Sequence, residues 1–253
     1  LMKLKRAWMM RAVVAVVVAG AAFSVWDRGN GFFKLGTSSS DPYTFFGEIK
    51  EYSTGGTKIP YGHIKQIDVM WAWGEVEISE YEGDDIVIDE VYDEELPDID
   101  RMRYLSKNGK LIIRYSGRSS EHNLKNPGSK TLKLRIPKDV SENIDLIKVI
   151  THEADVNVSA AHEDKLVVSS DKGDVGLVLG SVPDDIEIST DTGDVTLQIP
   201  ENEGFELEYN ISGGTFECEF PLVSKSNYGI YKKAGSKFEI VSADGDLRIL
   251  RRA

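Results

Sequence analysis

The chain has 253 residues, of which 28% are charged and 41% hydrophobic, a composition typical of a folded globular protein. Four of its 30 basic residues fall within the first eleven positions, where no acidic residue occurs. The remainder therefore sets 26 basic against 42 acidic side chains and has a net charge of −16. Such a surface repels phosphate backbones and anionic lipid, so nucleic acid is not an expected partner.

The N-terminal segment, residues 1–26, has the composition of a membrane-targeting sequence. Residues 12–26 carry no charge, and including residues 7–10 brings the apolar stretch close to the roughly 20 residues that a spanning helix needs. Residues 19–21, Ala-Gly-Ala, resemble a cleavage site, so a signal peptide is the alternative. Because the positive charge precedes the segment, we expect a single-pass protein of the cell membrane whose C-terminal part lies outside the cytoplasm.

Residues 27–44 are a predicted linker, because glycine and serine are frequent there. We expect residues 45–253 to form one extracytoplasmic β-repeat domain. Cys218 is the only cysteine, which excludes an intramolecular disulfide, so the fold depends on its apolar core.

The first part of the domain alternates apolar and polar residues with period two, which is typical of β-strands. Asn108-Gly109 predicts a hairpin turn, and residues 117–129 predict a surface loop. The predicted strands are residues 63–70, 75–79, 85–91, 110–115 and 130–136.

A repeat of about twenty residues follows. Residues 165–200 contain the same unit twice: an alternating strand, a Gly-Asp turn and a second alternating strand. The turns at Gly173 and Gly193 are 20 residues apart, and the spacing to the last turn requires an insertion of about 11 residues near residues 225–235. Related turns occur at Gly74, Ala154, Gly214 and Gly245.

The repeat favours an all-β fold of stacked strands, like a β-solenoid or β-helix. A two-stranded unit is marginal in water, and stacking the units buries their apolar faces against each other. A β-sandwich built from antiparallel meanders gives a similar pattern and remains open.

In-register stacking also predicts a column of acidic side chains at the turns. Asp155, Asp174 and Asp194 are expected about 4.8 Å apart, the spacing of adjacent strands. Like charges at that distance repel, so we expect a weakly bound cation such as calcium, raised carboxylate pKa values, or compensation by lysines such as Lys172. Fully solvated aspartates are the alternative.

These features resemble a bacterial family of membrane-anchored, adhesin-like proteins with β-strand repeats, whose domain has no known function. The resemblance rests on IDVMWAWGEVEI at residues 67–78, NGKLIIR at 108–114, LKLRIP at 132–137 and the serial GDV units. It implies surface adhesion, and it carries no catalytic or binding residue. Similar proteins occur beside envelope-stress systems, which makes sensing or scaffolding a competing role.

Histidine and cysteine chemistry is weakly indicated. The histidines are His63, His122, His152 and His162, and none has the spacing of a zinc-protease motif. His152 and His162 approach each other if they share a rung. Cys218 alternates with apolar residues, so we expect a buried side chain and not a nucleophile.

Two acidic pairs, Asp98 with Asp100 and Asp184 with Asp185, have the residue types of a polysaccharide-active enzyme. Trp71 and Trp73 share a strand face and indicate either core packing or a sugar-stacking platform. GGTK at residues 55–58 lacks the spacing of a phosphate-binding loop.

We therefore predict a non-enzymatic cell-envelope protein, an adhesin or a surface-binding or scaffolding domain whose ligand is a protein or a glycan. No catalytic, cofactor-binding or metal-binding residue is assigned, and no cofactor is expected. The alternatives are an envelope-stress sensing membrane protein and a polysaccharide-active β-helix enzyme.

Overall fold

The computed structural model describes residues 51–116, 130–138, 144–159, 164–233 and 235–252. The regular elements whose bounds it defines there are β-strands, and hydrogen bonds join them into one system of eighteen strands. The all-β prediction is therefore confirmed for these residues. In chain order the strands are β1 (Ser53–Thr54), β2 (Thr57–Pro60), β3 (Gln66–Tyr81), β4 (Asp85–Val91), β5 (Arg103–Lys107), β6 (Lys110–Arg114), β7 (Lys130–Pro137), β8 (Leu146–Ser159), β9 (Lys165–Lys172), β10 (Val175–Val178), β11 (Asp185–Thr192), β12 (Val195–Ile199), β13 (Gly204–Gly213), β14 (Phe216–Cys218), β15 (Val223–Lys225), β16 (Tyr228–Lys232), β17 (Ser236–Asp244) and β18 (Leu247–Arg251).

Two strand segments joined by a turn make one rung. In the rung of β9 and β10, Leu166, Val168, Val175 and Leu177 are buried. The residue that separates the two members of each pair within its strand points outward. The period-two pattern thus directs one side of each segment into a single apolar core. We call the first segments sheet I (β6, the first halves of β3 and β8, β9, β11, β17, β13) and the second segments sheet II (β7, the second halves of β3 and β8, β10, β12, β18, β14).

Neighbouring rungs pair in parallel and in register. Val175 pairs with Val156 on one side and with Val195 on the other, and Ser170 likewise lies between Thr151 and Thr190. These partners are 19 or 20 residues apart, which is the period of the sequence repeat. Parallel in-register stacking is the arrangement of a β-solenoid, whereas a meander sandwich would pair these strands antiparallel.

The order of the rungs in space differs from their order in the chain. Strands β17 and β18 pair with β11 and β12 on one side and with β13 and β14 on the other, so the last rung of the chain lies between two earlier ones. At the opposite end, β3 lies between β8 and the rung of β6 and β7. The spatial order of the described rungs is β6/β7, β3, β8, β9/β10, β11/β12, β17/β18, β13/β14.

Antiparallel strands cover most of both solenoid ends. Strand β5 pairs with β6 and β4 with β7, and each is covered in turn by β1 or β2. At the other end, β16 pairs with β13 and β15 with β16. These caps shield edges that would otherwise be free to pair with another chain.

Glycine is required at the turns because successive rungs approach closely there. Gly193 has a φ of 139°, and a Cβ placed on it would lie 2.1 Å from the carbonyl oxygen of Gly173. Gly245 makes the same approach to Gly193, with a φ of 150°. The turn therefore demands both a left-handed backbone and the absence of a side chain.

Several local predictions agree with the structure. Strand β4 has the predicted bounds of residues 85–91. Asn108 and Gly109 have φ values of 54° and 76° and close the hairpin between β5 and β6, as predicted. The predicted insertion near residues 225–235 is the hairpin of β15 and β16.

Other predictions fall outside the described residues. These are the N-terminal anchor or signal peptide (residues 1–26), the linker (residues 27–44) and the loop at residues 117–129. Within the part of the chain that the structure describes, no helix has the length and apolar character to cross a membrane.

The inward and outward register of β12 gives the first testable prediction. Val195 is 0% exposed, so Val195→Asp places an unpaired carboxylate in the core and should lower the free energy of unfolding by about 4 kcal/mol. Thr196 points outward, so Thr196→Asp should cost less than about 1 kcal/mol. Urea unfolding of the full-length chain measures both values, and similar losses would show that the register is wrong.

Candidate functional site

The Gly-Asp turns form a ladder of carboxylates along one corner of the solenoid. Asp155 Oδ1 accepts the main-chain N–H of Asp174 at 2.9 Å, and Asp174 Oδ1 accepts that of Asp194 at 2.8 Å. Asp194 Oδ1 in turn accepts the N–H of Asp246 at 2.9 Å. The predicted column of three aspartates is therefore confirmed, and Asp246 extends it. We call these four residues the aspartate ladder.

Thr215 ends the aspartate ladder. Its N–H and its hydroxyl both donate to Asp246 Oδ1 at 2.9 Å. Because threonine has no carboxylate, it offers no equivalent acceptor to a further rung, and its rung is the last at that end among the described residues. Sequence reasoning recognised the turn at Gly214 but missed the consequence of this substitution, which is visible as Thr where the four ladder turns have Asp.

Main-chain amides and one arginine compensate the negative charge of the ladder. Arg248 Nη2 lies 2.7 Å from Asp246 Oδ2, and Arg248 Nη1 lies 3.4 Å from Asp194 Oδ2. Lys172 pairs at 2.7 Å with Glu153, beside the ladder. The predicted outcomes were a bound cation, raised carboxylate pKa values, or compensation of the negative charge by lysines. The geometry supports compensation of the charge, but Arg248 and main-chain amides contribute more to it than lysine does. Among the described residues, no three or more His, Cys, Asp or Glu side chains are grouped so as to hold a metal ion.

The hydrogen bonds of Thr215 lower the pKa of Asp246. The Thr215 N–H and hydroxyl lower this pKa most. Burial raises it, by less than the Thr215 hydrogen bonds lower it, and Arg248 lowers it further. The lowered pKa means that the folded state favours the ionised carboxylate. This contribution to stability is complete above the ordinary aspartate pKa and is lost as pH falls through the lowered value.

One part of the outer surface of sheet II carries no ionisable side chain. It lies beside the aspartate ladder and spans rungs β8, β10 and β12, where Asn157, Gly176 and Thr196 occupy one register column, and it reaches Leu250 of β18 in the next column. Glu77 of β3 and Arg248 of β18 continue the first column on either side. We call this surface the neutral face, and its residues are Asn157, Ser159, Gly176, Val178, Thr196, Gln198 and Leu250.

The outer surface of sheet I is charged by contrast. Its outward residues in the corresponding rungs include Lys148, Lys165, Asp185, Glu187, Lys237 and Glu239. Several of them form ion pairs across rungs, such as Lys165 with Glu187. The neutral face therefore differs in charge from the sheet I surface of the same rungs, and it is bounded on sheet II by charged residues such as Glu77 and Arg248.

Trp71 lies in a buried cluster and not on the surface. Its Nε1 donates to the carbonyl oxygen of Lys130 at 3.1 Å, and its ring packs edge-on against Tyr115 with centroids 5.1 Å apart. Trp71 is 0% exposed. The sugar-stacking interpretation is therefore wrong for Trp71, and the core interpretation is confirmed.

The same cluster encloses Lys130, which sequence reasoning missed. Lys130 is 0% exposed, and its Nζ lies 2.8 Å from Glu90 Oε1 and donates to the carbonyl oxygens of Asp100 and Ser116 at 2.6 Å and 2.5 Å. Burial lowers the pKa of Lys130, and Glu90 opposes that effect. This network fastens the segment before β5 to the end of the solenoid, which is a structural role.

Trp73 is half-buried beside His152. The ring of Trp73 contacts Tyr115 and His152, with centroid distances of 5.5 Å and 6.2 Å. His152 Nδ1 lies 2.9 Å from Asp171 Oδ2. His63 is exposed, whereas His122 and His162 lie outside the described residues, so their predicted relation to His152 stays a prediction.

The remaining candidate residues do not converge. Cys218 is half-buried rather than fully buried, and burial raises the pKa of its thiol. Asp185 lies 3.8 Å from Lys165, and Asp98 lies 3.8 Å from Arg101, each in an exposed ion pair. Gly55, the first residue of the GGTK motif, lies between β1 and β2 with a φ of 77°.

The family model of the Toastrack domain (DUF4097) matches residues 57–250. The chain belongs to the Toastrack family. The family resemblance predicted from the sequence is thereby confirmed. No match to a curated protein was found.

Two solved structures are similar to this Toastrack domain. A candidate cell adhesion protein from Clostridium sporogenes is 14% identical, with a TM-score of 0.62 over 79% of this chain and 100% of the other. A candidate adhesin from Bacteroides fragilis is 13% identical, with a TM-score of 0.33 over 80% of this chain and 98% of the other. The first likeness supports the Toastrack fold.

The aspartate ladder of the Toastrack domain can be tested by removing one acceptor. Asp174→Ala leaves the N–H of Asp194 without its acceptor, whereas Asp174→Asn keeps an oxygen in the same place. We expect the melting temperature of the alanine variant to fall by about 2–5 °C and that of the asparagine variant to fall less. Scanning calorimetry measures both, and equal losses would show that the charge matters and not the acceptor.

Proposed function

We propose that this Toastrack domain is a non-enzymatic binding or scaffolding domain of the bacterial cell envelope. We further propose that it lies outside the cytoplasm and is held to the membrane by the N-terminal segment. The observation that carries the binding role is the neutral face, an uncharged surface on a strongly acidic protein. Charged residues are depleted at the centres of protein interfaces, because charges are costly to desolvate.

The neutral face suits binding because its backbone is held in register on several sides. Strands β10 and β12 each pair with a neighbouring strand on both sides, and the aspartate ladder links the turns that precede them. Several of its side chains are short or absent, as at Gly176 and Ser159, so these positions lose little side-chain entropy on contact.

The size of the neutral face predicts weak binding by a single domain. Four rungs about 4.8 Å apart, crossed by about 10 Å of strand, give an area on the order of 200 Å². A stable protein–protein interface uses roughly 800 Å² per partner. Many copies on one membrane would compensate for the weak affinity of each domain through avidity, so that several weak contacts together give tight attachment.

The cell adhesion description of the Clostridium sporogenes relative supports an attachment role at the level of analogy. A sensing role and a polysaccharide-active enzyme are the alternatives from the sequence. Two of the four candidate acids for catalysis, Asp98 and Asp185, lie in separate ion pairs, so the described residues favour binding over hydrolysis.

Two matched substitutions test the neutral face. Val178→Asp places a charge on the neutral face, whereas Val167→Asp places the same charge between Lys148 and Glu187 on sheet I. Vesicles bearing the full-length chain are mixed with glycan and protein fractions of the bacterial envelope. We expect Val178→Asp to lower the retained material at least fivefold and Val167→Asp to leave it within twofold.

The outcomes of this experiment separate the functions. Equal retention by both variants would remove the neutral face as the binding surface. Retention of only the glycan or only the protein fraction assigns the ligand class. Release of soluble sugar from the glycan fraction would instead support the enzyme.

Membrane orientation is tested separately. Protease added to intact protoplasts should digest the domain after about residue 30, because the basic N-terminus is expected to stay inside. Protection of the domain would contradict the proposed location. Its release into the medium without protease would indicate a cleaved signal peptide.

A further inference from the structure

One sheet edge at the end of the solenoid is uncovered. Strand β14 pairs with β18 on one side, and the residues that the structure describes provide no strand on its other side. The Thr215 carbonyl and the Glu219 N–H bond to β18 at 2.8 Å and 2.9 Å. Because alternate residues of a parallel strand bond to the same neighbour, the N–H and C=O groups of Phe216 and Cys218 point towards the uncovered side.

The uncovered edge continues into β13. Strand β16 pairs with residues 204–208 of β13, and a single further bond joins the Tyr209 N–H to Asn227. Beyond that point the described part of the chain places no strand against β13 on this side. We call residues 210–219 the open edge.

The open edge differs from the outermost strands β2 and β15, and the remaining outermost strand, β1, is only two residues long. Strand β2 contains Lys58 and Pro60, and β15 contains Lys225, and these residue types discourage pairing with a further strand. Residues 210–219 contain no lysine, arginine or proline. The sequence therefore protects the cap strands and leaves the open edge able to pair.

The end of the core beside the open edge is incompletely covered. Tyr209, Ile211, Phe216 and Cys218 are only partly buried against the core, and Tyr209 stacks on Phe216 with centroids 4.2 Å apart. At the opposite end of the solenoid, the inward residues of the terminal rung, such as Ile113, are 0% exposed. An added strand would cover the apolar side chains at the open edge while it satisfies the backbone.

Charge indicates the kind of strand that fits. Glu217 and Glu219 are exposed at this edge. Glu219 Oε2 accepts the main-chain N–H of Arg251 at 2.6 Å on the β18 side, so Glu217 is the acid next to the positions that an added strand would occupy. A second copy paired antiparallel at this edge would set these acids against the same acids, which is destabilising. A strand with basic residues on that side would be stabilised.

We propose that the open edge binds an extended segment of a second envelope protein, which adds to β14 as a further strand and alternates basic with apolar residues. Its basic side chains face Glu217, and its apolar side chains cover Phe216 and Cys218. Main-chain hydrogen bonds supply affinity and the alternation supplies specificity. This site lies at the end of the solenoid and is independent of the neutral face.

The test uses the full-length chain in detergent and two labelled seven-residue peptides, one alternating Val with Lys and one alternating Val with Glu. Fluorescence anisotropy should show at least tenfold tighter binding of the Val-Lys peptide. Hydrogen exchange should show that the Phe216 and Cys218 amides exchange rapidly in the free chain and slowly when the peptide is bound. Slow exchange in the free chain would overturn the proposal, because the edge would already be covered.

A matched pair of charge reversals separates strand addition from general attraction to an acidic protein. Glu217→Lys should weaken binding of the Val-Lys peptide by about three- to tenfold. Glu203→Lys makes the same charge change at another exposed position and should leave the affinity within twofold. Equal weakening by both variants, or slowed exchange elsewhere than β14, would overturn the proposal.

Discussion

The structure depends on the close approach of successive rungs at the Gly-Asp turns. At each such turn a glycine faces the carbonyl of the neighbouring turn where a Cβ would lie near 2 Å from it, and an aspartate accepts the neighbouring amide. The glycine sets the distance between rungs, and the aspartate sets their register. Because both act at the same corner, the two sheets that leave the corner inherit one register, and a period of about twenty residues follows for the chain.

The same turn explains why the rung order was hidden in the sequence. Each turn offers one amide and one carboxylate, so the turns at Gly193 and Gly245 are interchangeable by local chemistry. Only the exceptions carry order: Thr215 has no carboxylate, so its rung ends the ladder, and the structure places it beside Asp246. A periodic pattern can therefore reveal the unit of a solenoid while the departures from the pattern reveal its topology.

Local features could be predicted because residues that are close in the sequence determine them. The strand at residues 85–91, the Asn108-Gly109 hairpin and the column beginning at Asp155 and Asp174 all follow from alternation or turn chemistry within a few residues. Lys130 could not be predicted as buried, because its partner Glu90 lies forty residues away and a lysine at the start of a strand normally faces solvent. The neutral face was equally hidden, since it is formed by one or two residues from each of four rungs.

The two ends of the solenoid suggest how a repeat fold acquires a direction. Parallel stacking has no intrinsic stop, so each end needs a device that ends it, and here the devices differ. One end is closed by the paired strands of its cap and by the buried Lys130 network. At the other end the ladder stops at Thr215, yet the edge of β14 that faces away from β18 has no partner strand among the described residues. Thr215 fixes the position of the last rung but does not cover the edge of β14. The open edge can therefore belong to a stable end of the solenoid and still be able to pair with a further strand.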